Sequence, residues 1–473
     1  MTTSSLPSTS ALPSAWRRGV MLAVIMGCQL MMVLDTSIVT TALPHVEREL
    51  GFTAASLSWV QNSYALAFGG LLLLGARAGD LLGRRRVFTA GVGLFAAASL
   101  LAGLAPTAEL LILGRTLQGI ASAFAIPATL ALLVQSFPRP EERTRAISIY
   151  SAVIGAGGSV GIIIGGIFTD LLSWRWGMLI NVPLGIAVLL LAPRFLSETP
   201  RRRGTVDIAG ALAVTAGMTA LVFGLVGAGE SGWTDVTVIA SLGTAVVLLV
   251  VFVLIERRAA QPITPLALFA DVTRSGAYAL RVLTVGAMFS TFYFLSQYLQ
   301  NVLGFSAFIA GLSYVPLTLM FFAMVYVIRP LVARISKPTL LVTSLATATL
   351  GMLWLSTIDG DSVFFPGILL PLLVLGAGQG IAIILLTEFG MAGVPTEDSG
   401  AASGLVNTAH QLGGTVGLAL LTVVFSSSGA GTASAEPYSA VFHAATWFYV
   451  TAVAIAVGMW VHGKRAARRT ARS

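Results

Sequence analysis

Long apolar runs separated by short polar stretches make up almost the whole chain. Each run is long enough, at about 1.5 Å per helical residue, to cross a hydrocarbon core of about 30 Å. The pattern predicts an all-α polytopic membrane protein with 14 transmembrane helices, grouped six, two and six. The predicted spans are 18–43, 57–76, 87–105, 107–134, 145–168, 176–193, 207–228, 235–255, 276–298, 307–328, 338–357, 363–386, 400–425 and 439–461.

This grouping also predicts the domain organisation. The two outer blocks are similar in length and loop rhythm, as expected if a six-helix unit was duplicated. We predict an N-terminal six-helix domain at 17–193, a two-helix linker insertion at 194–275 and a C-terminal six-helix domain at 276–461. The Ser/Thr/Pro-rich residues 1–16 are predicted to be a disordered cytoplasmic N-terminus, and residues 462–473 a basic cytoplasmic tail.

Composition agrees with a lipid environment, because 56% of residues are hydrophobic and only 10% are charged. A soluble domain typically carries about 25% charged residues. The single cysteine, Cys28, excludes a disulfide framework, and the four scattered histidines lack metal-ligand spacing. No metal or cofactor is therefore predicted. Without a nucleophile–base pair either, the chain is not expected to be an enzyme.

The net charge of +8 raises the possibility of a nucleic-acid partner, but the distribution of the basic residues excludes it. All but four of the 28 Lys and Arg lie in loops or termini that fall on one side of the membrane. Of those four, Arg48 and Arg175 lie on the other side, and Arg115 and Arg281 lie within spans. By the positive-inside rule, both termini are predicted to be cytoplasmic, in a multi-pass protein of the cell membrane.

Of the 20 acidic residues, only Asp35 lies well inside a predicted span. An ionisable group there costs at least about 2.5–3.5 kcal/mol, so such residues usually face the bundle interior or a wet cavity and belong to a transport pathway. The alternative is a buried Asp that only hydrogen-bonds one helix to another. We favour the functional interpretation, since an Asn could do most of that packing.

Arg115 is the natural partner of Asp35. The two residues lie nine positions inward from Pro44 and Pro106, which mark helix ends on the same side. Both are therefore roughly 13 Å below that surface, which makes an ion pair possible. Protonation of Asp35 would weaken the pair and free Arg115, so we predict that these two residues couple transport to protons. The membrane field supplies about 2.3 kcal/mol per charge per 100 mV.

Two other ionisable residues have less distinctive positions. Arg281 lies only five residues into its span, and we favour the interpretation that its side chain extends to the cytoplasmic surface. His410 lies deep in the thirteenth span, beside Asn407 and Gln411. It could titrate in the working pH range or remain neutral in a hydrogen-bonded packing role.

Polar and aromatic residues at mid-depth are candidates for the wall of a substrate cavity, although such residues often face lipid or pack between helices. Since Asp35 is the sole deep acid, a dication needing several carboxylates is disfavoured. A small hydrophobic molecule, neutral or monocationic, is the predicted substrate, and Asp35 would serve both it and the proton. The candidate cavity residues are Asn62, Tyr64, Phe289, Tyr293, Gln297, Tyr314, Gln379, Asn407, His410 and Gln411.

Glycines recur at helical spacing in the fifth span. Gly157, Gly161 and Gly165 repeat every four residues, with Gly166 adjacent, and leave one helix face without side chains. Small residues at this spacing allow helices to approach closely, as a rocking interface requires. A similar face recurs over 400–417 in the thirteenth span. The first cluster is not a dinucleotide-binding motif, because no βαβ unit surrounds it.

Several motifs together resemble the major facilitator superfamily, and within it the fourteen-helix drug:proton antiporter branch. The resemblance covers nearly the whole chain. The motifs are LDTSIVTTALP at 34–44, GDLLGRRR at 79–86, LGRTLQG at 113–119, SWRW at 173–176, NVP at 181–183, DIAG at 207–210 and GAASGLVNT at 400–408.

The resemblance implies two six-helix domains around a central cavity that opens alternately to either side. It implies that Asp80, Gly83, Arg84 and Arg85 form a cytoplasmic gate that pairs across the domain boundary, and it gives the proton-coupling role to Asp35 and Arg115. One departure is Ile162, which stands where the branch's fifth-helix motif has proline. Proline kinks a helix, so this one is predicted to be straighter.

The predicted function is proton-coupled export of small hydrophobic molecules, such as drugs or antibiotics, by a monomer in the lipid bilayer. One alternative is a transporter with the same fold but another substrate class, such as amino acids, lipids or metabolites, or a uniporter that is not coupled to protons. A more remote alternative is a membrane receptor or sensor.

Overall fold

The computed structural model describes residues 15–53, 56–137, 139–198, 207–259, 266–394, 399–429 and 434–470, and within these ranges the chain forms helices and no strand. The helices are α1 (Ala15–Leu50), α2 (Trp59–Leu82), α3 (Arg84–Gly103), α4 (Ala108–Ser136), α5 (Pro140–Leu171), α6 (Arg175–Leu179), α7 (Asn181–Phe195), α8 (Ile208–Ser231), α9 (Val236–Arg258), α10 (Val272–Asn301), α11 (Ala307–Leu312), α12 (Val315–Val332), α13 (Lys337–Leu355), α14 (Leu369–Gly390), α15 (Ser399–Ser427) and α16 (Glu436–Thr470).

The helices form where the sequence is continuously apolar, because in lipid each backbone N–H and C=O must be satisfied within its own segment. Polar residues stop the apolar runs and cap the helices. Thr107 accepts a hydrogen bond from the backbone N–H of Leu110, and Asp271 accepts one from that of Arg274 at 2.8 Å. Such caps satisfy N–H groups that have no partner inside the helix.

In the described part of the chain, 12 helical segments are long and apolar enough to cross a membrane. The chain is therefore an all-helical, multi-span protein, as predicted. Helices α2 and α5 coincide with the second and fifth predicted spans but are not among those 12 segments. The total of 14 stays a prediction.

The helices pack as two bundles and a hairpin. Helices α1 to α7 pack on one another and form the N-terminal half, and α10 to α16 form the C-terminal half. Helices α8 and α9 pair with each other, and α8 also lies against α2 and α15, one helix from each half. The inserted pair therefore bridges the two halves at their surface.

The two halves are in direct contact at one end of the bundle, which we call the closed end. Here the hydroxyl of Ser296 in α10 donates to the backbone oxygen of Thr40 in α1 at 3.1 Å. One helical turn on, the amide of Gln300 donates to the oxygen of Thr41 at 3.2 Å. A single apolar core, which includes Val39 and Phe294, is continuous across the halves. The predicted orientation makes this end extracellular.

Asp170, at the end of α5, strengthens the same contact. Its carboxylate accepts hydrogen bonds from the backbone N–H groups of Ala307 (3.0 Å) and Phe308 (2.9 Å), which begin α11 in the other half. A Cβ added to Gly166 would lie 2.5 Å from the Cα of Phe308, so only glycine allows this approach. The closed end thus combines a capped helix with a backbone-to-backbone contact.

Candidate coupling site and central cavity

A cavity of about 480 Å³ lies between the two halves. Helices α1, α2, α4 and α5 supply one wall, and α10, α12, α14 and α15 supply the other. Aromatic side chains from both halves contribute to the surface, among them Phe68, Phe289, Phe292, Phe321 and Phe322. No Asp or Glu is among the described residues that line the cavity, and Arg115 is the charged side chain in this lining.

Six of the predicted cavity residues border this space, namely Asn62, Tyr64, Phe289, Gln379, His410 and Gln411. Asn62 is 1% exposed, and neither its amide nitrogen nor its amide oxygen has a partner. The amide of Gln379 donates to the hydroxyl of Tyr449 at 2.8 Å. Asn62 is therefore a lining side chain with both a donor and an acceptor free for a bound molecule.

The other four predicted cavity residues do not border it. Tyr293 is fully buried in the apolar core against Phe294, and Gln297 lies one turn further along the same side of α10. Tyr314 donates its hydroxyl to the backbone oxygen of Phe292, and Asn407 lies exposed on α15. The predicted depth of these residues in the membrane is reasonable. They lie on faces of their helices that do not border the cavity.

Asp35 and Arg115 form an ion pair, and their side chains are 0% and 1% exposed. One carboxylate oxygen of Asp35 accepts from the guanidinium of Arg115. The other oxygen accepts from the amides of Gln118 and Asn181, each at 2.8 Å. Three helices thus converge on one carboxylate: α1 carries it, α4 supplies two donors, and α7 supplies the third.

Arg115 is held as firmly as Asp35. It donates to the side-chain oxygen of Gln118 at 2.7 Å and to the backbone oxygen of Val60 at 2.9 Å. Its guanidinium also lies 4.6 Å from the ring centre of Tyr64, a distance at which a cation is attracted to the aromatic face. The hydroxyl of Tyr64 in turn donates to Ser122. The arginine is positioned by three groups besides its carboxylate partner.

Gln118 and Asn181 are hydrogen-bond partners of the ion pair that the sequence-based prediction did not include among the site residues. Gln118 also donates to Ser99 at 2.7 Å and so ties α3 to the pair. Its spacing of three from Arg115 was a usable signal, because residues three apart share a helix face. Asn181 lies where α6 gives way to α7, and no local pattern in the sequence relates it to Asp35.

The geometry bears on one prediction about Asp35. Arg115 borders the cavity, whereas the Asp35 carboxylate lies behind it and is not part of the lining. In this arrangement Arg115 separates the Asp35 carboxylate from the cavity. The prediction that Asp35 serves both proton and substrate stays untested.

Arg281 does not extend to the surface, contrary to the interpretation favoured from its position near the span end. It is 7% exposed and lies between α10 and α14, where it donates to the hydroxyl of Thr387 at 2.7 Å. Nearby, the ring of His410 meets that of Phe289 edge-on, with centroids 5.8 Å apart. A second buried cation thus lies in the C-terminal half.

The glycines of α5 lie in two contacts. A Cβ on Gly157 would be 3.0 Å from Val33, one on Gly161 would be 2.7 Å from Ser37, and one on Gly165 would be 2.7 Å from the Cα of Ile38, so these three lie against α1. Gly166, by contrast, contacts α11 in the other half. One helix therefore uses its small residues both within its half and across the closed end.

The predicted cytoplasmic gate lies at the junction of α2 and α3. Gly83 has φ +102°, a conformation that favours glycine, and a Cβ there would lie 2.6 Å from Glu198. The backbone N–H of Arg85 donates to Glu198, and its side chain donates to the oxygen of Leu196. These partners directly follow α7, and the gate role of these residues stays a prediction. Arg84 begins α3, and the side chain of Asp80 lies outside the described residues.

A two-half helical bundle around a central cavity, with a buried ion pair at its wall, defines a multi-span membrane transporter. The sequence profile described as Major Facilitator Superfamily matches residues 25–418, so the chain belongs to the major facilitator superfamily. The chain is also similar to the crystal structure of the POT family transporter PepTSo, with a TM-score of 0.69. That alignment covers 96% of this chain and 99% of that one at 15% identity, and it shows the fold alone.

Two curated relatives are similar over most of their length. The Cephamycin export protein CmcT of Amycolatopsis lactamdurans is 40% identical over 418 residues, which are 87% of this chain and 86% of the relative. The Puromycin resistance protein pur8 of Streptomyces alboniger is 38% identical over 450 residues, covering 93% and 88%. Both are named for the handling of antibiotics.

Proposed function

We propose that this protein exports small hydrophobic molecules, such as drugs or antibiotics, in exchange for protons. The observation that carries the proposal is the Asp35–Arg115 pair, which is buried at the cavity wall and is the one deep acid–base pair among the described residues. The names of the cephamycin and puromycin relatives support an antibiotic-like substrate. The aromatic lining and the free amide of Asn62 suit a mostly apolar molecule with a few hydrogen-bonding groups.

The coupling step follows from the geometry of the pair. When Asp35 takes a proton it loses its charge, and Arg115 remains buried without a counter-ion. Removing one partner of a buried ion pair costs about 3–5 kcal/mol. That approaches the roughly 5.5 kcal/mol that moves a two-state equilibrium from 1:99 to 99:1. Protonation would therefore favour a different arrangement of α1, α4 and α7, and deprotonation would restore the present one.

The direction of transport follows from the closed end. In the proposed topology both termini are cytoplasmic, so the end closed by Asp170 and Ser296 is extracellular and the cavity receives its cargo from the inner side. The pair is formed in this state, which matches an antiporter that releases its proton inward before it takes up substrate. We propose 14 spans, with α2 and α5 completing the set, and a monomer as the working unit.

The domain boundaries proposed from the sequence suit this mechanism. Residues 17–193 and 276–461 would rock against each other, with 194–275 as the inserted linker. The pairing of α8 with α2 and α15 supports a linker that travels with both halves. The segments 1–16 and 462–473 would lie on the cytoplasmic side.

The test is Asp35→Asn in proteoliposomes that carry an imposed pH gradient, with N-phenylnaphthylamine (NPN) as a neutral aromatic probe. Since Asn cannot take up the proton, gradient-driven movement of NPN should fall to the level of protein-free vesicles. Asp361→Asn is the matched control, because Asp361 is an exposed loop residue, and it should transport like the wild type.

Two results would contradict the proposal. The first is NPN transport by Asp35→Asn that still follows the gradient. The second is wild-type transport that is unchanged when an ionophore collapses the gradient, which would instead favour the uniporter alternative.

A further inference from the structure

Arg281 is a buried cation without a carboxylate partner among the described residues. It is 7% exposed, and no Asp or Glu in the described part of the chain lies within ion-pair distance of it. Its guanidinium donates a hydrogen bond to Thr387, and its Nε has no partner. A cation buried in this way favours binding of a counter-ion.

The position of Arg281 connects it to the central cavity. Helices α10 and α15 touch here, since a Cβ on Gly413 would lie 2.5 Å from the backbone oxygen of Val282. Arg281 is the neighbour of Val282 in α10, and His410 lies three residues before Gly413 in α15, so this contact sets the two side chains on facing helices. His410 borders the cavity, and its Nδ1 has no partner. Two incompletely satisfied polar groups therefore lie on facing helices of the C-terminal half, and one of them, His410, borders the cavity.

The hydrogen-bond partner of Arg281 borders a second space. Thr387 lines an open pocket of about 640 Å³ together with Ile383, Ile384, Glu388 and Met391 on or next to α14. Gln379, two turns earlier on α14, lines the central cavity. The hydrogen-bond partner of Arg281 thus lies on the same helix as a cavity residue, two turns further along.

We propose that Arg281, with His410 beside it, binds the anionic group of an exported aromatic molecule, a carboxylate or a sulfonate. The proposal rests on the proposed export function and names its substrate class. The cavity supports it, because its described lining includes the cation Arg115 and no acid, and its aromatic side chains would hold the apolar part of the molecule. This replaces the neutral or monocationic substrate predicted from the sequence with a monoanionic one.

The test compares two probes that share one aromatic skeleton. Anilinonaphthalene sulfonate (ANS) carries a negative charge, and NPN is the same skeleton without it. Dissociation constants are measured by fluorescence titration of the purified full chain in lipid nanodiscs, with the signal of empty nanodiscs subtracted. Arg281→Gln should weaken ANS binding at least about tenfold, the effect of losing one hydrogen bond to a charged group, and change NPN binding less than about twofold.

Two variants serve as controls. Arg281→Lys keeps the charge and should retain ANS binding within about threefold. Arg274→Gln removes another buried arginine from α10, one whose guanidinium donates to the backbone oxygens of Leu268 and Ala392, and should leave ANS binding unchanged. Equal weakening of ANS and NPN by Arg281→Gln, or no weakening of either, would overturn the proposal.

A measurement on the wild type covers the case in which Arg281→Gln does not fold. Naphthoate should displace NPN at a lower concentration than its methyl ester does, and equal or better displacement by the ester would overturn the proposal.

Each titration is repeated with gluconate in place of chloride. A substrate site prefers ANS over NPN in both salts, whereas a preference seen only in gluconate would assign Arg281 to an inorganic anion and overturn the proposal.

These binding measurements require no proton gradient, so their failure is distinct from failure of the export function. ANS selectivity with gradient-independent NPN transport would contradict the coupling role of Asp35 alone. Gradient-driven NPN transport without ANS selectivity would contradict the role of Arg281 alone.

Discussion

Arg115 and Arg281 are both buried arginines on membrane-spanning helices, one in each half of the bundle, and their surroundings are opposite. Arg115 has a carboxylate, a glutamine, a backbone oxygen and an aromatic ring around it. Arg281 has one threonine hydroxyl and an unpartnered Nε. The same side chain is thus held in place in one half and left incompletely satisfied in the other.

The difference separates two tasks that a transporter must combine. Protonation of the carboxylate would destabilise a fully satisfied ion pair, so such a pair suits coupling. An unsatisfied cation has free energy to gain from a ligand, which suits recognition. The N-terminal half therefore has the features of the coupling element, and the C-terminal half those of the recognition element.

The strongest test of this comparison is the stability of the two arginine variants. Arg115→Gln leaves Asp35 buried without a counter-ion and should lower the free energy of unfolding by about 3–5 kcal/mol. Arg281→Gln removes a cation that has no carboxylate partner among the described residues and should change it by less than about 1 kcal/mol, or raise it. Both are measured by unfolding in mixed micelles. Equal losses for the two variants would remove the distinction.

A smaller effect is expected from the hydrogen-bonding partners of the two charged sites. Asn181→Leu removes one donor to the Asp35 carboxylate and should cost about 1.5–3 kcal/mol of unfolding free energy. Thr387→Val removes the acceptor of Arg281 and should cost only about 0.5–1.5 kcal/mol, because the pocket beside it is open and water can replace the hydroxyl. The same unfolding assay measures both, and a larger loss for Thr387→Val would contradict the comparison.

The smallest effect concerns the contact that holds the two halves together. Asp170→Asn keeps the size of the cap on α11 and removes its charge, worth about 0.3–1 kcal/mol at a helix N-terminus. The closed end should separate slightly more often, seen as broader spin-label distances across α5 and α11. The Asp35–Arg115 pair should be unaffected, so Asp170→Asn should retain gradient-driven NPN transport. Loss of that transport would show that the closed end and the coupling site are not separable.

The sequence was informative about depth and much less so about direction around each helix. Charges, prolines and loop arginines mark distances along a span, which is why the depths of Asp35 and Arg115 could be matched from the sequence alone. A helix that is apolar on all sides has no polar face to fix its rotation. Tyr293 and Gln297 therefore had the right depth to reach the cavity, and only packing shows that they point into the core.

Long-range partners were the other part that the sequence could not supply. Gln118 shares a helix with Arg115, and its motif spacing made it accessible to prediction. Asn181 reaches Asp35 from a helix 146 residues further along the chain, through a break between α6 and α7 that the apolar pattern does not mark. The side chain of Arg281 was predicted to extend to the surface because the residue lies near the end of its span. Position along a span does not show which residues of α14 and α15 pack against it.

The α8–α9 hairpin makes the two seams between the halves unequal. Leu66 of α2, Met218 and Val222 of α8 and Ala419 of α15 form one apolar cluster, so the hairpin covers the seam where α2 meets α15. The opposite seam, between α5 and α12, has no such cover among the described residues, and Ile162, Phe321 and Phe322 place the cavity directly behind it. For any molecule that enters the proposed exporter sideways from the bilayer, the two seams would therefore not be equivalent routes, because the hairpin covers one of them.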